Sequence, residues 1–264
     1  MAGAHEKAEQ NQSDVAAIMA GLADRQAEGA PSYRTLTGPE RAAVLMLALG
    51  DASHAQGNYP TRNVRMLVPF APGGGSDLHA RALGLELSKL WGRSVVIDNK
   101  GGAGGGIGSE LASRAAPDGY TIVGGTVSSH AINVSLYPKL GYDPIKSFTP
   151  IVLIGSNPVV LVVGEKSPYK TLADVLAAAK AKPKTVSSAS AGQGTSQHMT
   201  LELLGFRTGS QFIHVPYKGS GPAIQDVIGG QVDMMFDTTV VAGPHIQSGK
   251  VRALAVSSAQ RLEA

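Results

Sequence analysis

From residue 59 onward, short apolar runs alternate with longer stretches in which apolar residues recur every three or four positions. The short runs predict β-strands and the amphipathic stretches predict helices. Strands are predicted at Val64–Phe70, Val95–Asp98, Thr121–Gly125, Ile151–Val163, Val186–Ala189, Phe212–Val215, Val232–Phe236 and Val251–Ser257. Helices are predicted at Asp77–Trp91, Ile107–Ala115, Leu172–Ala181, Ser196–Leu204, Pro222–Ile228 and Val241–Gly249. This alternation favours an α/β fold with largely parallel sheets.

One apolar stretch, from Ile151 to Val163, is interrupted by Gly155-Ser156-Asn157-Pro158 near the middle of this α/β part. Such a break suits a chain that passes from one lobe to another. We therefore expect two lobes with a cleft between them, and a single larger sheet is the alternative. The expected boundaries are residues 58–153 for lobe one, 154–250 for lobe two and 251–264 for a crossover strand that returns to lobe one.

The first 57 residues follow a different pattern, and we expect an atypical extension that is helical or disordered. Val15 to Leu22 fits a short helix, and Thr37-Gly38-Pro39-Glu40 fits the capped start of a second one. The segment Leu36 to Gly50 resembles the opening helix of the flagellar motor switch protein FliG, although any capped apolar helix has this pattern. An interaction protein that uses this helix is one hypothesis. Ala42–Gly50 also has the length of a signal-peptide core, but a secretion signal normally has a short basic start.

The composition narrows the class of protein. With 264 residues, 43% of them hydrophobic and 16% charged, the chain has an ordinary globular balance. The absence of cysteine excludes disulfides, zinc–thiolate sites and a cysteine nucleophile. The net charge of +3 comes from scattered lysines and arginines, which argues against nucleic acid as a partner. No apolar run reaches the ~20 residues needed to span a bilayer.

A glycine-rich loop is the first candidate for chemistry. The run Val68-Pro69-Phe70-Ala71-Pro72-Gly73-Gly74-Gly75-Ser76-Asp77 indicates a strand, a loop and the start of a helix. The unpaired N–H groups and the positive dipole end of a helix start can hold an anion. A tight strand-to-helix connection is the alternative. Three further loops rich in Gly, Ser or Thr also follow predicted strands, at Thr126–Ser129, Ala191–Ser196 and Tyr217–Gly221. Because ligands collect beyond the carboxyl ends of strands in such folds, these loops are expected to converge on one cleft.

Enzyme motifs are weak in this sequence. The loop Gly101–Gly108 gives no full G-x-G-x-x-G register and lacks the Lys-Ser/Thr ending of a P-loop. No G-x-S-x-G motif occurs, and the seven histidines show no metal-ligand spacing. His198 could contact a ligand, with packing or helix capping as the alternative. A nucleotide- or phosphate-dependent enzyme built on Gly101–Gly108 stays as the second hypothesis, and we predict no catalytic residue, metal or cofactor.

An ordered set of motifs adds a family resemblance. The motifs are Tyr59-Pro60, Val68 to Gly74 with Asp77, Asn99 to Gly105 with Gly108, Pro117 to Thr121, His214 to Gly219 and Gly230 to Asp233. Together they resemble the Bug family, the TctC-type periplasmic solute-binding proteins of tripartite tricarboxylate transporters. The resemblance runs from about Tyr59 to the last residue.

The resemblance implies a type II-like periplasmic-binding-protein fold that closes on a small carboxylate, such as a di- or tricarboxylate, an amino acid or an aromatic acid. It implies a periplasmic monomer that is not an enzyme and that delivers its ligand to membrane transporter subunits. Arg81 is not expected to contact the ligand. The implied ligand-binding residues are Phe70, Ala71, Pro72, Gly73, Gly74, Gly75, Ser76, Asp77, Ser128, Ser129, Asn133, Ala191, Gly192, Gly194, Thr195, Ser196, His198, Tyr217 and Asp237.

The resemblance also bears on the end of the chain. Family members continue past the point where Arg261-Leu262-Glu263-Ala264 stops, so we expect this chain to be truncated and lobe one to be incomplete. Missing elements would leave an unpaired sheet edge and an exposed apolar face on that lobe.

Overall fold

Two five-stranded sheets form the framework of the molecule. The computed structural model describes residues 59–258 together with the backbone of residues 44–49. The strands of the first sheet are β1 Val44–Leu49, β2 Val64–Val68, β3 Val95–Asn99, β4 Asp118–Val123 and β5 Thr149–Leu153. Those of the second sheet are β6 Val159–Gly164, β7 Ser187–Ser190, β8 Ile213–Pro216, β9 Met234–Thr238 and β10 Val251–Val256. Their orders are β3-β2-β4-β1-β5 and β10-β6-β9-β7-β8.

Helices lie between most of these strands. They are α1 Gly75–Trp91, α2 Gly106–Ser113, α3 Asn133–Leu136, α4 Leu172–Ala181, α5 Ser196–Thr208, α6 Ser220–Ile228 and α7 Thr239–Gln247. A π-helical turn, Ser128–Ile132, leads into α3. We call the first sheet with α1 to α3 the first lobe, and the second sheet with α4 to α7 the second lobe.

Strand pairing is mixed rather than largely parallel, so the prediction of largely parallel sheets is wrong. Strand β2 pairs in parallel with β3 and β4, and β7 does so with β8 and β9. Strand β1 is antiparallel to β4 and β5, and β6 is antiparallel to β9 and β10. A parallel pair needs a crossover, usually a helix, and α1 lies between β2 and β3 as α5 lies between β7 and β8.

The core of the first lobe lies on both faces of β2. Val64, Met66 and Val68 pack with Ala80 of α1, while Leu67 clusters with Ala112 of α2 on the other face. Because both faces are covered, the strand is an uninterrupted apolar run rather than an alternating one. This packing fixes the direction in which β2 delivers the glycine-rich loop to α1.

Strand β6 plays the same part in the second lobe. Val160 and Val162 cluster with Ile224 of α6 and Val241 of α7. Leu161 and its odd-numbered neighbours cluster with Leu201 of α5 on the opposite face. The starts of α5, α6 and α7 are therefore held against one sheet.

Several predictions about the chain's organisation meet a clear outcome. The break at Gly155–Pro158 separates β5 of the first sheet from β6 of the second, as predicted. The helix predicted to run to Gly50 is wrong over Val44–Leu49, which forms β1 between β4 and β5. A short apolar run without polar alternation suits a buried strand as well as a helix, and pairing with distant strands decides between them. The helix at Val15–Leu22 and the cap at Thr37–Glu40 lie outside the described residues.

The end of the chain is described only in part. Strand β10 belongs to the second sheet, and residues 259–264 lie outside the described residues. The return of residues 251–264 to the first lobe and the lobe boundaries therefore stay predictions. Strand β5 is an edge strand whose Ile151, Val152 and Leu153 are 44%, 49% and 59% exposed. Among the described residues, no helix combines the length and the apolar character needed to cross a bilayer.

Candidate functional site

The glycine-rich loop ends at an uncapped helix start. Strand β2 stops at Val68 and α1 begins at Gly75, with Gly74 as its N-cap and therefore no side-chain cap hydrogen bond from that residue. The first N–H groups of a helix have no acceptor within it, so they are available to an anion. The loop therefore has the form that the sequence predicts.

Asp77 holds this loop in shape. Its Oδ2 accepts hydrogen bonds from Gly73 N and Arg81 Nε, both at 2.9 Å, and its Oδ1 accepts one from Asn99 Nδ2 at 3.0 Å. The carboxylate is 2% exposed. Burial raises the pKa of Asp77, but the hydrogen bonds from Arg81, Gly73 and Asn99 outweigh it and hold the pKa below its ordinary value. Asp77 is thus an anion whose charge is already satisfied, and Arg81 is engaged with it.

Besides the glycine-rich loop, the π-helical turn and α3 also place polar residues in the candidate site of the first lobe. Ser128, Ser129 and Asn133 are all buried. Asn133 Nδ2 donates to the carbonyl oxygens of Ala103 and Gly104, both at 3.2 Å, and its buried Oδ1 has no hydrogen-bond partner in the part of the chain that the structure describes. Ser129 Oγ is bonded within its own turn, to Thr126 and to His130 Nδ1. The side chains of Ser128, Ser129 and Asn133 are therefore neutral hydrogen-bond donors and acceptors.

In the second lobe, a compact loop joins β7 to α5. Thr195 caps α5, and its Oγ1 donates to Gly192 O at 2.7 Å. His198 is 6% exposed, and its Nδ1 accepts a hydrogen bond from Gly194 N at 3.1 Å. Its ring stacks on that of His214 with centroids 3.8 Å apart. His198 therefore holds the loop through packing and a backbone contact, and its contact with a ligand stays a prediction.

A buried carboxylate lies where the starts of α5 and α6 meet. Asp237 is 0% exposed, and its Oδ1 accepts hydrogen bonds from Ser220 Oγ at 2.7 Å and Thr238 N at 2.8 Å. Gln197 Nε2 donates to the same Ser220 hydroxyl at 3.2 Å. Burial raises the pKa of Asp237 to about 6, against the lowering effect of its hydrogen bonds. Its Oδ2 is buried and has no hydrogen-bond partner among the described residues.

The two lobes touch along a seam that brings these loops together. Ala71 N donates to Lys218 O at 3.0 Å, and Ser196 N donates to Ser128 Oγ at 3.1 Å. Both bonds join the first lobe to the second. The predicted loops therefore converge on one interlobe surface.

Glycines allow the backbones of the two lobes to approach at this seam. A Cβ on Gly104 would lie 2.5 Å from Gln193 O, and one on Gly221 would overlap Pro72 O. Real side chains do not tolerate such distances, so these positions require glycine in the closed arrangement. The loop Gly101–Gly108, which was considered for nucleotide binding, contributes to this contact between lobes.

The predicted site residues fall into two groups. In the first group the polar side-chain groups are bonded within their own lobe, as in Asp77, Ser129, Asn133, Thr195, His198, Tyr217 and Asp237. The Tyr217 hydroxyl bonds to Asp226, and burial together with Asp226 raises the pKa of Tyr217 to about 12. The second group lies on or beside the seam loops, namely Phe70, Ala71, Pro72, Gly73, Gly74, Gly75, Ser76, Ser128, Ala191, Gly192, Gly194 and Ser196. Sequence reasoning did not single out Gln197 or assign Ser220 to Asp237. The signal available was their position at predicted helix starts beside Gly and Ser.

A comparison with known families now bears on this geometry. A model of the tripartite tricarboxylate transporter family receptor, TctC, matches residues 79–264. The chain belongs to this family. Among its TctC relatives is the protein BugT of Bordetella pertussis, 39% identical over 204 residues that cover 77% of this chain and 63% of BugT. The chain spans 60–63% of the length of such curated relatives.

Solved TctC-like structures share the fold. MatC from Rhodopseudomonas palustris, solved with bound malate, is 36% identical with a TM-score of 0.73, over 77% of this chain and 69% of MatC. A second R. palustris protein, solved with adipate, is 36% identical with a TM-score of 0.74, over 77% of this chain and 68% of that one. The two-lobed α/β fold predicted from the sequence is confirmed.

Proposed function

We propose that this chain binds a small carboxylate between its lobes and serves as the receptor of a tripartite tricarboxylate transporter. The observation that carries the proposal is the meeting of three helix starts, those of α1, α5 and α6, at one seam. Helix starts supply N–H donors and positive potential to an anion. Neutral donors of this kind bind a carboxylate and perform little chemistry on it.

The relatives support a dicarboxylate as the first ligand to test. MatC was solved with malate and its R. palustris relative with adipate, and both ligands are dicarboxylates. The TctC family is described as a receptor family, which supports binding rather than catalysis. The enzyme hypothesis draws no support from Gly101–Gly108, because that loop is packed against Lys218 and Gln193 of the other lobe.

Isothermal titration calorimetry on the full chain tests the proposal. The panel contains succinate, L-malate, citrate, adipate, L-aspartate and benzoate, with dimethyl succinate as an uncharged control of similar shape. We expect heat from at least one carboxylate, none from the diester, and a rise in melting temperature with ligand concentration. If no carboxylate gives heat or raises the melting temperature, the proposal is wrong.

The partners and location follow from the same proposal. We infer a monomer in the periplasm that hands its ligand to membrane subunits and does not bind nucleic acid. Cell fractionation checks the location, and light scattering on the purified chain checks the monomer. Uptake of labelled ligand in cells that express the membrane subunits with and without this chain checks the hand-over.

A further inference from the structure

One oxygen atom of the Asp237 carboxylate has no hydrogen-bond partner among the described residues. Ser220 Oγ and Thr238 N both bond to Oδ1, so Oδ2 carries no hydrogen bond from the described residues although it is fully buried. A buried anion without partners for its lone pairs is costly, and natural proteins rarely keep one without a reason. A ligand that donates to Oδ2 would supply the reason.

Among the described residues, no cation forms a salt bridge with Asp237. The groups that hydrogen-bond to its carboxylate, Ser220 and Thr238, are neutral. Gln197, which also lowers the pKa of Asp237, is neutral as well. The charge of Asp237 is therefore not neutralised by an ion pair of the kind that Asp77 forms with Arg81.

Asp237 lies beside the place proposed for the ligand carboxylate. The adjacent Thr238 Oγ1, which is buried and has no hydrogen-bond partner among the described residues, would be 3.0 Å from a Cβ on Gly75, the first residue of α1. Ser220 N, in turn, would be 3.5 Å from a Cβ on Gly74. The residue next to Asp237 and the residue bonded to it thus both lie beside the helix start on the first lobe.

The start of α1 and the Asp237 carboxylate therefore favour different chemical groups on a ligand. The start of α1 favours a negative group, whereas an ionised Asp237 repels a negative group and accepts a hydrogen from a donor. A ligand meets both requirements when a carboxylate and a hydrogen-bond donor sit on neighbouring atoms. A simple dicarboxylate such as succinate meets only the first.

We propose that Asp237 makes the cleft selective for carboxylates that carry a protonated amine or a hydroxyl beside the carboxylate, with Asp237 Oδ2 as the acceptor. This inference rests on the proposed carboxylate-binding function. It assigns Asp237 the role of a specificity-determining residue. Its bonds to Ser220 and Thr238 position the carboxylate, and the unpaired oxygen selects the ligand.

Calorimetry with three ligands of equal carbon length tests the inference at pH 7.5. Succinate carries no donor, L-malate carries a hydroxyl and L-aspartate carries an amine. We expect the chain to bind L-malate, L-aspartate or both at least about tenfold more tightly than succinate, because a hydrogen bond to a charged group is lost with succinate. The two donor ligands show which donor the site prefers.

The variant Asp237→Asn removes the acceptor and keeps the shape. We expect this variant to bind the donor ligand at most about threefold more tightly than it binds succinate. It should still bind succinate. Asp233→Asn is the matched control, since Asp233 is bonded to Ser187 at the start of β7. It should leave the preference unchanged.

The outcomes separate the two claims. Equal binding of all three ligands by the unmodified chain overturns the inference without touching carboxylate binding, whatever the variant does. A donor preference that persists in Asp237→Asn also overturns it. If none of the three ligands or the wider panel binds, the proposed function itself fails. Thermal unfolding of both variants checks that they are folded.

Discussion

At the level of single side chains, the buried carboxylate of Asp237 makes the stability of the chain depend on pH. Its pKa of about 6 lies above the ordinary 3.8, so the folded chain takes up this proton more readily than the unfolded chain. The contribution of Asp237 to stability is therefore full below pH 3.8 and falls as the pH rises through about 6. Above that pH the buried, ionised carboxylate therefore destabilises the ligand-free protein.

Asp237→Asn should remove this pH-dependent destabilisation, because the amide is neutral at every pH. We expect the unfolding free energy of the variant, relative to the unmodified chain, to improve by about 2 kcal/mol between pH 4 and pH 7.5. Urea unfolding at both pH values measures it. An equal effect of Asp237→Asn at both pH values would contradict the explanation.

The stacked pair His198 and His214 has the opposite dependence on pH. Burial lowers the pKa of His198; burial and the neighbouring His198 lower the pKa of His214 to about 4, against a small raising effect of Glu202. The unfolded chain is then protonated first as the pH falls below 6.5. The stability that the neutral pair contributes is present above pH 6.5 and is lost as the pH falls toward 4.

Protonation also removes an acceptor that the cleft loop uses, since His198 Nδ1 accepts from Gly194 N. We predict that the melting temperature of the unmodified chain falls further between pH 7.5 and pH 5 than that of His214→Asn. Calorimetric scans at several pH values give the comparison. Parallel curves for the two proteins would show that the histidine pair does not titrate in this way.

These residues show how far sequence reasoning reaches. His198 stands out because it follows a glycine loop, but its contact with His214 joins a helix to a neighbouring strand and has no fixed spacing in sequence. The bonds of Ser220 and Gln197 around Asp237 are of the same kind. Loop chemistry can be predicted locally, whereas partners brought together by the tertiary fold cannot.

At the level of secondary structure, local signals decide which predictions hold. Helix α4 was predicted with the observed bounds, Leu172–Ala181, and Thr171 and Asp174 form a capping box at its start. Strand β1 was predicted as a helix, because an apolar run carries no local signal that outweighs pairing with β4 and β5. The π-helical turn at Ser128–Ile132 was not predicted either, as its hydrogen bonds follow neither regular period.

The capping box makes a testable contribution. Thr171 Oγ1 accepts from Asp174 N at 3.2 Å, and Asp174 Oδ2 accepts from Thr171 N at 2.8 Å. Thr171→Ala should lower the unfolding free energy by about 1 kcal/mol, since it leaves a helix-start donor without its acceptor. Thr185→Ala, which removes an exposed hydroxyl outside any helix start, should cost less than half as much. Urea unfolding of both variants decides the matter, and equal costs would argue against the cap.

For the molecule as a whole, the described structure is a closed arrangement in which backbone meets backbone across the seam. Hydrogen bonds such as Ala71 N to Lys218 O exist only while the lobes are together. Ligand binding to a two-lobed protein draws on the free energy of closure, so a change that opposes closure weakens binding even when it touches no ligand.

Gly221→Ala isolates this effect. The added methyl group would overlap Pro72 O of the first lobe, while alanine suits a position inside the start of α6. We expect carboxylate affinity to fall about tenfold or more, because a clash of 1–3 kcal/mol at the seam opposes the closed state. The unfolding free energy should stay within about 0.5 kcal/mol of the original, since the lobes can part without unfolding.

Gly243→Ala in α7 is the matched control, because a Cβ there meets nothing within 4 Å. It should leave affinity unchanged. Small-angle scattering then separates closure from local damage: with saturating ligand the unmodified chain and Gly243→Ala should contract, whereas Gly221→Ala should remain more expanded at the same ligand concentration. If Gly221→Ala binds and contracts like the control, the seam between Pro72 and Gly221 does not govern closure, and the affinity of this chain must arise from contacts within each lobe.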